Sequence, residues 1–210
     1  MKQLRHLAYT LAAATALAGC ASVPPPGPAE ITRFHDEAAM ATLGAAQPAT
    51  AFVASAPGTA TDSLELAPYK AAVAAELAKL GVGEAGNEAA TLIAQVQLER
   101  FTIGSDDDDR RGPVSVGVGG STGSYGSGLG LGIGINLGGG GSRERQGTRL
   151  AVMLRDKVSG RTVWEGRAQL AVASKSPLAN PAQGAPALAR ALFRDFPGKN
   201  GETIEVEVTE

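Results

Sequence analysis

The sequence predicts an α+β domain: one antiparallel β-sheet with two amphipathic helices packed on one face, plus a Gly-rich β-hairpin. Three observations carry this prediction. Apolar and polar residues alternate over several short stretches, the period of half-buried strands. Two other stretches repeat apolar residues at three- and four-residue spacing, the period of a helix face. Between them, GSGLGLGIGINLGGGG (Gly126 to Gly141) places glycine at every second position of a run whose alternate positions are Leu129, Leu131, Ile133, Ile135 and Leu137.

The N-terminus is set apart from the fold. Lys2 and Arg5 precede an apolar run from Leu7 to Ala18, which is the layout of a secretory signal and well short of the roughly 20 residues a membrane-crossing helix needs. Residues 1–19 are therefore expected to be removed. The run ends in LAGC, which resembles the lipobox of bacterial lipoproteins, in which cleavage falls between Gly19 and Cys20 and Cys20 is acylated. A thiolate is the soft nucleophile that takes a diacylglycerol group as a thioether. Several acyl chains, palmitate among them, then hold a protein at a membrane, each buried methylene contributing about 0.8 kcal/mol. In a Gram-negative host, Ala21 rather than aspartate after the cysteine resembles the outer-membrane sorting signal, with the domain facing the periplasm.

Cys20 is the only cysteine. Its acylation leaves no thiol for disulfides, thiolate catalysis or metal binding. Loss of Lys2 and Arg5 takes the formal charge from −2 to −4, and a mildly acidic chain without a basic run argues against nucleic acid as a partner. ASVPPPGP (Ala21 to Pro28) reads as an extended tether of about 25 Å. Residues 20–28 thus form an acylated cysteine and tether, and residues 29–210 one domain with a Gly-rich insertion at 112–141.

The elements follow in order. In EITRFHDEA, Ile31, Arg33 and His35 alternate with Thr32, Phe34 and Asp36, predicting a first strand, and ATAFVASA (Ala49 to Ala56) predicts a second. PYKAAVAAELAKLG puts Tyr69, Val73, Leu77 and Leu80 at helical spacing, opened by Pro68 and stopped by Gly81. TLIAQVQLERFTIG alternates Leu92, Ala94, Val96 and Leu98 with Gln95, Gln97 and Glu99, a half-buried strand. Leu150, Val152 and Leu154, and then Val163, Glu165 and Arg167, indicate a hairpin turning at Ser159-Gly160. GAPALARALFRDFPG predicts the second helix, with Leu188, Leu192 and Phe196 on one face, Pro186 at its start and Pro197-Gly198 at its stop. ETIEVEVTE closes as a strand with Ile204, Val206 and Val208 inward.

Chemistry-bearing patterns are sparse. The glycines fit neither the dinucleotide fingerprint nor the Walker spacing. Gly119-Gly120-Ser121-Thr122-Gly123 matches the nucleophile-elbow string, yet no helix pattern follows it and the mature chain's one histidine, His35, precedes it. Asp106 to Asp109 lack the ligand spacing of a calcium loop and read as a solvated loop. No catalytic residue, metal ligand or cofactor is assigned, and the chain is expected not to be an enzyme. The period of two makes the Gly-rich stretch a β-hairpin with one apolar and one bare face. A bare face invites close approach, by the domain's own helix or sheet, by a partner's strands or by lipid, with Leu129, Leu131, Ile133, Ile135 and Leu137 as candidate partner-contact residues.

With the lipobox, the Pro-rich tether, LAVMLRDKVSGRTVWEG and LFRDFPGKNGETIEVEV in view, the chain resembles the lipoproteins of domain-of-unknown-function family 4136. The most specific elements are the helix running into LFRDFPG and the hairpin pattern Asp156, Ser159, Gly160, Val163, Trp164 and Gly166. The resemblance implies no catalytic residues, and Trp164 is read as a packing residue. The expected function is that of a membrane-anchored envelope lipoprotein with a non-catalytic binding or structural role. The alternatives are a self-assembling or complex-forming subunit using the Gly-rich hairpin, and a periplasmic small-solute-binding module.

Overall fold

A computed structural model describes residues 25–45, 49–59, 63–103 and 144–209. The expected Gly-rich hairpin lies outside the described residues. The strands are β1 (Ala29–His35), β2 (Thr50–Ser55), β3 (Gly83–Glu84), β4 (Leu92–Ile103), β5 (Arg145–Asp156), β6 (Thr162–Ala173) and β7 (Thr203–Val206). The helices are α1 (Glu37–Ala45), α2 (Ala67–Lys79) and α3 (Pro181–Phe193). The strands form one sheet in the order β3-β2-β4-β5-β6-β1-β7.

The α+β class holds, but the sheet is mixed rather than antiparallel. β2 runs parallel to both β3 and β4, while β4, β5, β6, β1 and β7 pair antiparallel. The physical reason is the crossover. Parallel neighbours need a crossover, usually a helix, and the chain passes through α2 between β2 and its two parallel neighbours β3 and β4.

Alternation is visible as burial. Leu92, Ala94 and Val96 of β4 are buried with Leu150, Val152 and Leu154 of β5, and the register sets Val96 opposite Val152 and Ala94 opposite Leu154. On β6 the expected set shifts by one. Trp164, Ala168 and Leu170 face the core beside Gly166, whereas Glu165 and Arg167 pair with each other in solvent at 2.5 Å. An irregularity at Leu154/Arg155, where Leu154 meets Trp164 and Arg155 meets Thr162, absorbs a residue and sets this register.

The helix α2 buries Tyr69, Ala72, Val73 and Leu77 and stops as expected. Gly81 adopts φ +84° and the Val82 N–H reaches back to the Leu77 carbonyl at 3.0 Å, closing the helix in a Schellman-like turn. Leu80, expected on the apolar face, is 41% exposed. The helix α3 begins earlier than expected. Asn180 caps it by accepting the Ala182 N–H at 3.0 Å, Pro181 stands in its first turn, and Pro186 lies inside. It also ends earlier, at Phe193, so that Phe196 lies beyond the helix. Eight of the thirteen residues of α3 are buried, including Leu188, Leu192 and Phe193. Its Gly184 is required by contact, because a Cβ there would overlap the Leu178 carbonyl oxygen.

The third helix, α1, is an addition to the two expected. Asp36 starts it, accepting the Ala39 N–H through Oδ1 at 3.0 Å, and its Glu37-Ala-Ala-Met sequence carries no apolar stripe that a periodicity reading could find. Among the described residues no helix is long and apolar enough to cross a membrane.

Candidate binding surfaces

The β5–β6 turn is built from the hairpin pattern itself. Asp156 Oδ1 accepts both the Ser159 N–H (2.7 Å) and the Ser159 hydroxyl (2.6 Å), and Gly160 takes φ +68° while its N–H bonds the Asp156 carbonyl. These two Ser159 bonds, the side-chain one first, hold the Asp156 carboxyl below its ordinary value of 3.8. A lowered folded-state pKa stabilises above the unfolded value and is lost as pH falls through the folded one. Asp156→Ala is therefore expected to lower stability by about 0.5–1 kcal/mol at neutral pH, the gap to wild type closing as pH drops below 3.8. Urea unfolding at a series of pH values measures this, and a gap independent of pH would contradict it.

Trp164, just past that turn, is fully buried. Its ring stacks on Phe193 (centroids 5.2 Å apart, 19° between planes) and tilts against Phe196 at 5.2 Å. Its Nε1–H donates to the Pro197 carbonyl at 3.0 Å. Gly166 makes the room, since a Cβ there would overlap the Trp164 ring and lie 2.8 Å from a Leu192 methyl. The two most specific sequence patterns, the β5–β6 hairpin and LFRDFPG, are thus the two halves of one packing unit. The expectation that Trp164 serves packing is met.

The chain after α3 is held down by β1. Arg33, on the same face as Ile31, is only 3% exposed, and its Nη1–H donates to the Arg194 carbonyl at 2.6 Å. Burial pushes the Arg33 guanidinium below its ordinary value, opposed by Asp195 and Glu202 and reinforced by Arg194. Gly198, at φ +81°, lies against that guanidinium, where a Cβ would come within 2.6 Å of Nη1. Asn200 clasps His35 twice, accepting its N–H and donating to its carbonyl, each at 3.1 Å. A cleft of about 330 Å³ opens here, edged by Arg33, Asp195, Lys199 and Glu202. Most of its rim charge is already paired, Arg194 with Asp195 at 3.6 Å and Lys199 with Glu202 at 3.4 Å. A second groove of about 360 Å³ runs between α3 and the residues after β7, with Ala187, Ala191 and Val208 in its lining and Glu76, Arg190 and Glu207 at its edges.

The opposite face of the sheet is polar. Glu99, Arg149 and Gln169 are opposite one another across β4, β5 and β6, with Arg149 bonded to Glu99 at 2.5 Å and to Gln169 at 3.0 Å. The Arg149 guanidinium also lies 5.6 Å from the Phe101 ring centre. That ring covers Gly147, where a Cβ would overlap it.

Cys20, Gly19, Leu129, Leu131, Ile133, Ile135 and Leu137 lie outside the described residues, as do Ser121 and Asp106 to Asp109. His35 sits on β1 as expected, its role there being the backbone clasp with Asn200. The residue that sequence reasoning passed over is Arg33. Its alternation with Thr32 already placed it beside Ile31, and a charge on a core face is a signal for a docked segment. Among the described residues no group of three or more His, Cys, Asp or Glu side chains is placed to hold a metal ion. What the arrangement offers is two grooves with charged side chains at their edges.

The family described as "Domain of unknown function (DUF4136)" matches residues 46–198, and the chain belongs to it. No curated protein matches in sequence. Among solved structures, the fold is similar to the PelC dodecamer from Paraburkholderia phytofirmans at 14% identity and TM-score 0.44, covering 79% of this chain and 94% of that one. A point variant of the same protein matches at 13% identity and TM-score 0.39, covering 70% and 83%. A PDZ domain protein from Parabacteroides distasonis matches at 12% identity and TM-score 0.44. It covers 86% of this chain, which spans 39% of that longer protein.

Proposed function

We propose that the chain is a lipid-anchored lipoprotein of the cell envelope whose domain acts by binding or structural support rather than by catalysis. The observation that carries the reading is the spacing of LAGC to the fold. Cys20 stands nine residues before Ala29, the first residue of β1, with a Pro-rich stretch between. Such a length suits a lipid tether feeding directly into a sheet. The membrane is then the first partner, through acyl chains on Cys20. Ala21 favours the outer membrane of a Gram-negative host and a periplasm-facing domain. The clefts beside Arg33 and α3, with their paired charges, suit recognition by shape.

The test is the intact mass of the full chain extracted from membranes of a Gram-negative host. A mature chain beginning at Cys20 with diacylglycerol and acyl mass added, and release of Cys20→Ala into the soluble fraction, is the expected result. A mature chain with a free thiol, or with another first residue, would overturn the reading.

A further inference from the structure

We infer that the cleft between β1 and the segment after α3 is a binding site for a small aliphatic carboxylate, held by Arg33; this rests on the binding role proposed above and is independent of the lipid anchor. The surroundings of Arg33 carry it. The residue is 3% exposed, and among the described residues no carboxylate forms an ion pair with its guanidinium. Nη1 donates to the Arg194 carbonyl, while Nη2 is buried with no hydrogen-bond partner. A buried charge is ordinarily paired, because the water it gives up has to be replaced by a partner.

The charges around the cleft show which sign is missing. Asp195 pairs with Arg194 at 3.6 Å and Glu202 with Lys199 at 3.4 Å. Arg33, Arg194 and Lys199 thus stand against two carboxylates, and the cation left over is Arg33. Both carboxylate side chains are well exposed, 80% for Asp195 and 42% for Glu202, so water screens their pull on the buried guanidinium. One negative charge completes the set. A carboxylate supplies it, whereas a phosphate monoester, with about −1.5 to −2 at neutral pH, exceeds it.

Geometry and lining point to the same class. A planar carboxylate matches the fork of a guanidinium. Pro197 and half-buried Ile204 give the cleft an apolar wall, and its volume of about 330 Å³ lies at the small end of ligand sites. A short aliphatic acid fills both requirements. Nη2 is closed off from water, so seating the carboxylate on it displaces Gly198, which packs on the guanidinium.

The experiment titrates the full chain, in nonionic detergent, with isovalerate by calorimetry. Isovaleramide, its uncharged isostere, and detergent alone are the controls. Saturable binding of isovalerate to a single site is expected, with none of the amide. Two changes at the rim should move the affinity in opposite directions, Lys199→Gln weakening it and Glu202→Gln tightening it, each by about two- to fivefold. Both side chains are exposed, so the fold is kept. Arg33→Met, which retains an apolar stem, should weaken binding by about tenfold or more, and if it unfolds the rim pair still decides. No binding of isovalerate, equal binding of the amide, or rim changes that act in one direction or not at all would each overturn the inference and leave Arg33 as a clasp alone. That failure in a chain with acyl mass on Cys20 leaves the anchor standing. Binding by a chain whose Cys20 thiol is free keeps the site and overturns the anchor.

Discussion

Trp164→Ala is expected to destabilise the domain by about 3–5 kcal/mol, the range for truncating a buried aromatic. Its ring fills the space between β6 and α3, and its loss removes the stack on Phe193, the contact with Phe196 and the hydrogen bond to the Pro197 carbonyl together. Gly166→Ala tests the same unit from the other side. A methyl there has no free space and must displace the ring or the Leu192 methyl, which puts the expected loss at about 1–3 kcal/mol. The two changes should couple. Once the ring is gone the methyl has room, so the double variant should lose less than the sum of the singles, by an amount on the order of 1 kcal/mol. Urea unfolding of all four proteins measures this. Additive losses would mean that Gly166 is required for something other than the indole.

Arg33 carries the second large effect. Arg33→Ala is expected to lose about 2–3 kcal/mol, combining a charged hydrogen bond with the packing of a buried aliphatic stem. Its bond to the Arg194 carbonyl and its contact with Gly198 hold the segment after α3 against β1. The loss should therefore be local as well as global. Amide exchange should accelerate at Phe196 and Gly201, whose N–H groups bond the Phe193 and Arg33 carbonyls, before it does so in β4 or β5. Uniform acceleration across the sheet would show that Arg33 acts through the core and not through the docked segment.

Much of the domain is legible as local pattern. The burial of Leu92, Ala94 and Val96, of Leu150, Val152 and Leu154, and of Val206 and Val208 follows the period of two seen in the sequence. The turn at Ser159-Gly160 and the stop at Gly81 follow from residues that tolerate positive φ. The parallel pairing of β2 with β4 was legible too. Strand, helix and strand in succession form the pattern that calls for a crossover, and an all-antiparallel sheet overlooks it. At the candidate surfaces, the hairpin and LFRDFPG stand out in sequence, but nothing local says that Trp164 joins them.

What the sequence determines by itself is therefore which segments have two-residue or helical period, where they turn, and that a lipobox-like cysteine precedes a proline tether. Tertiary structure alone decided the rest: the order β3-β2-β4-β5-β6-β1-β7, the one-residue shift on β6 and the start of α3 at Pro181. The reason is that period and turn chemistry are set within a few residues of the chain. Neighbour and register are set by what fills the space between distant segments, here an indole over a glycine and a buried guanidinium under a loop.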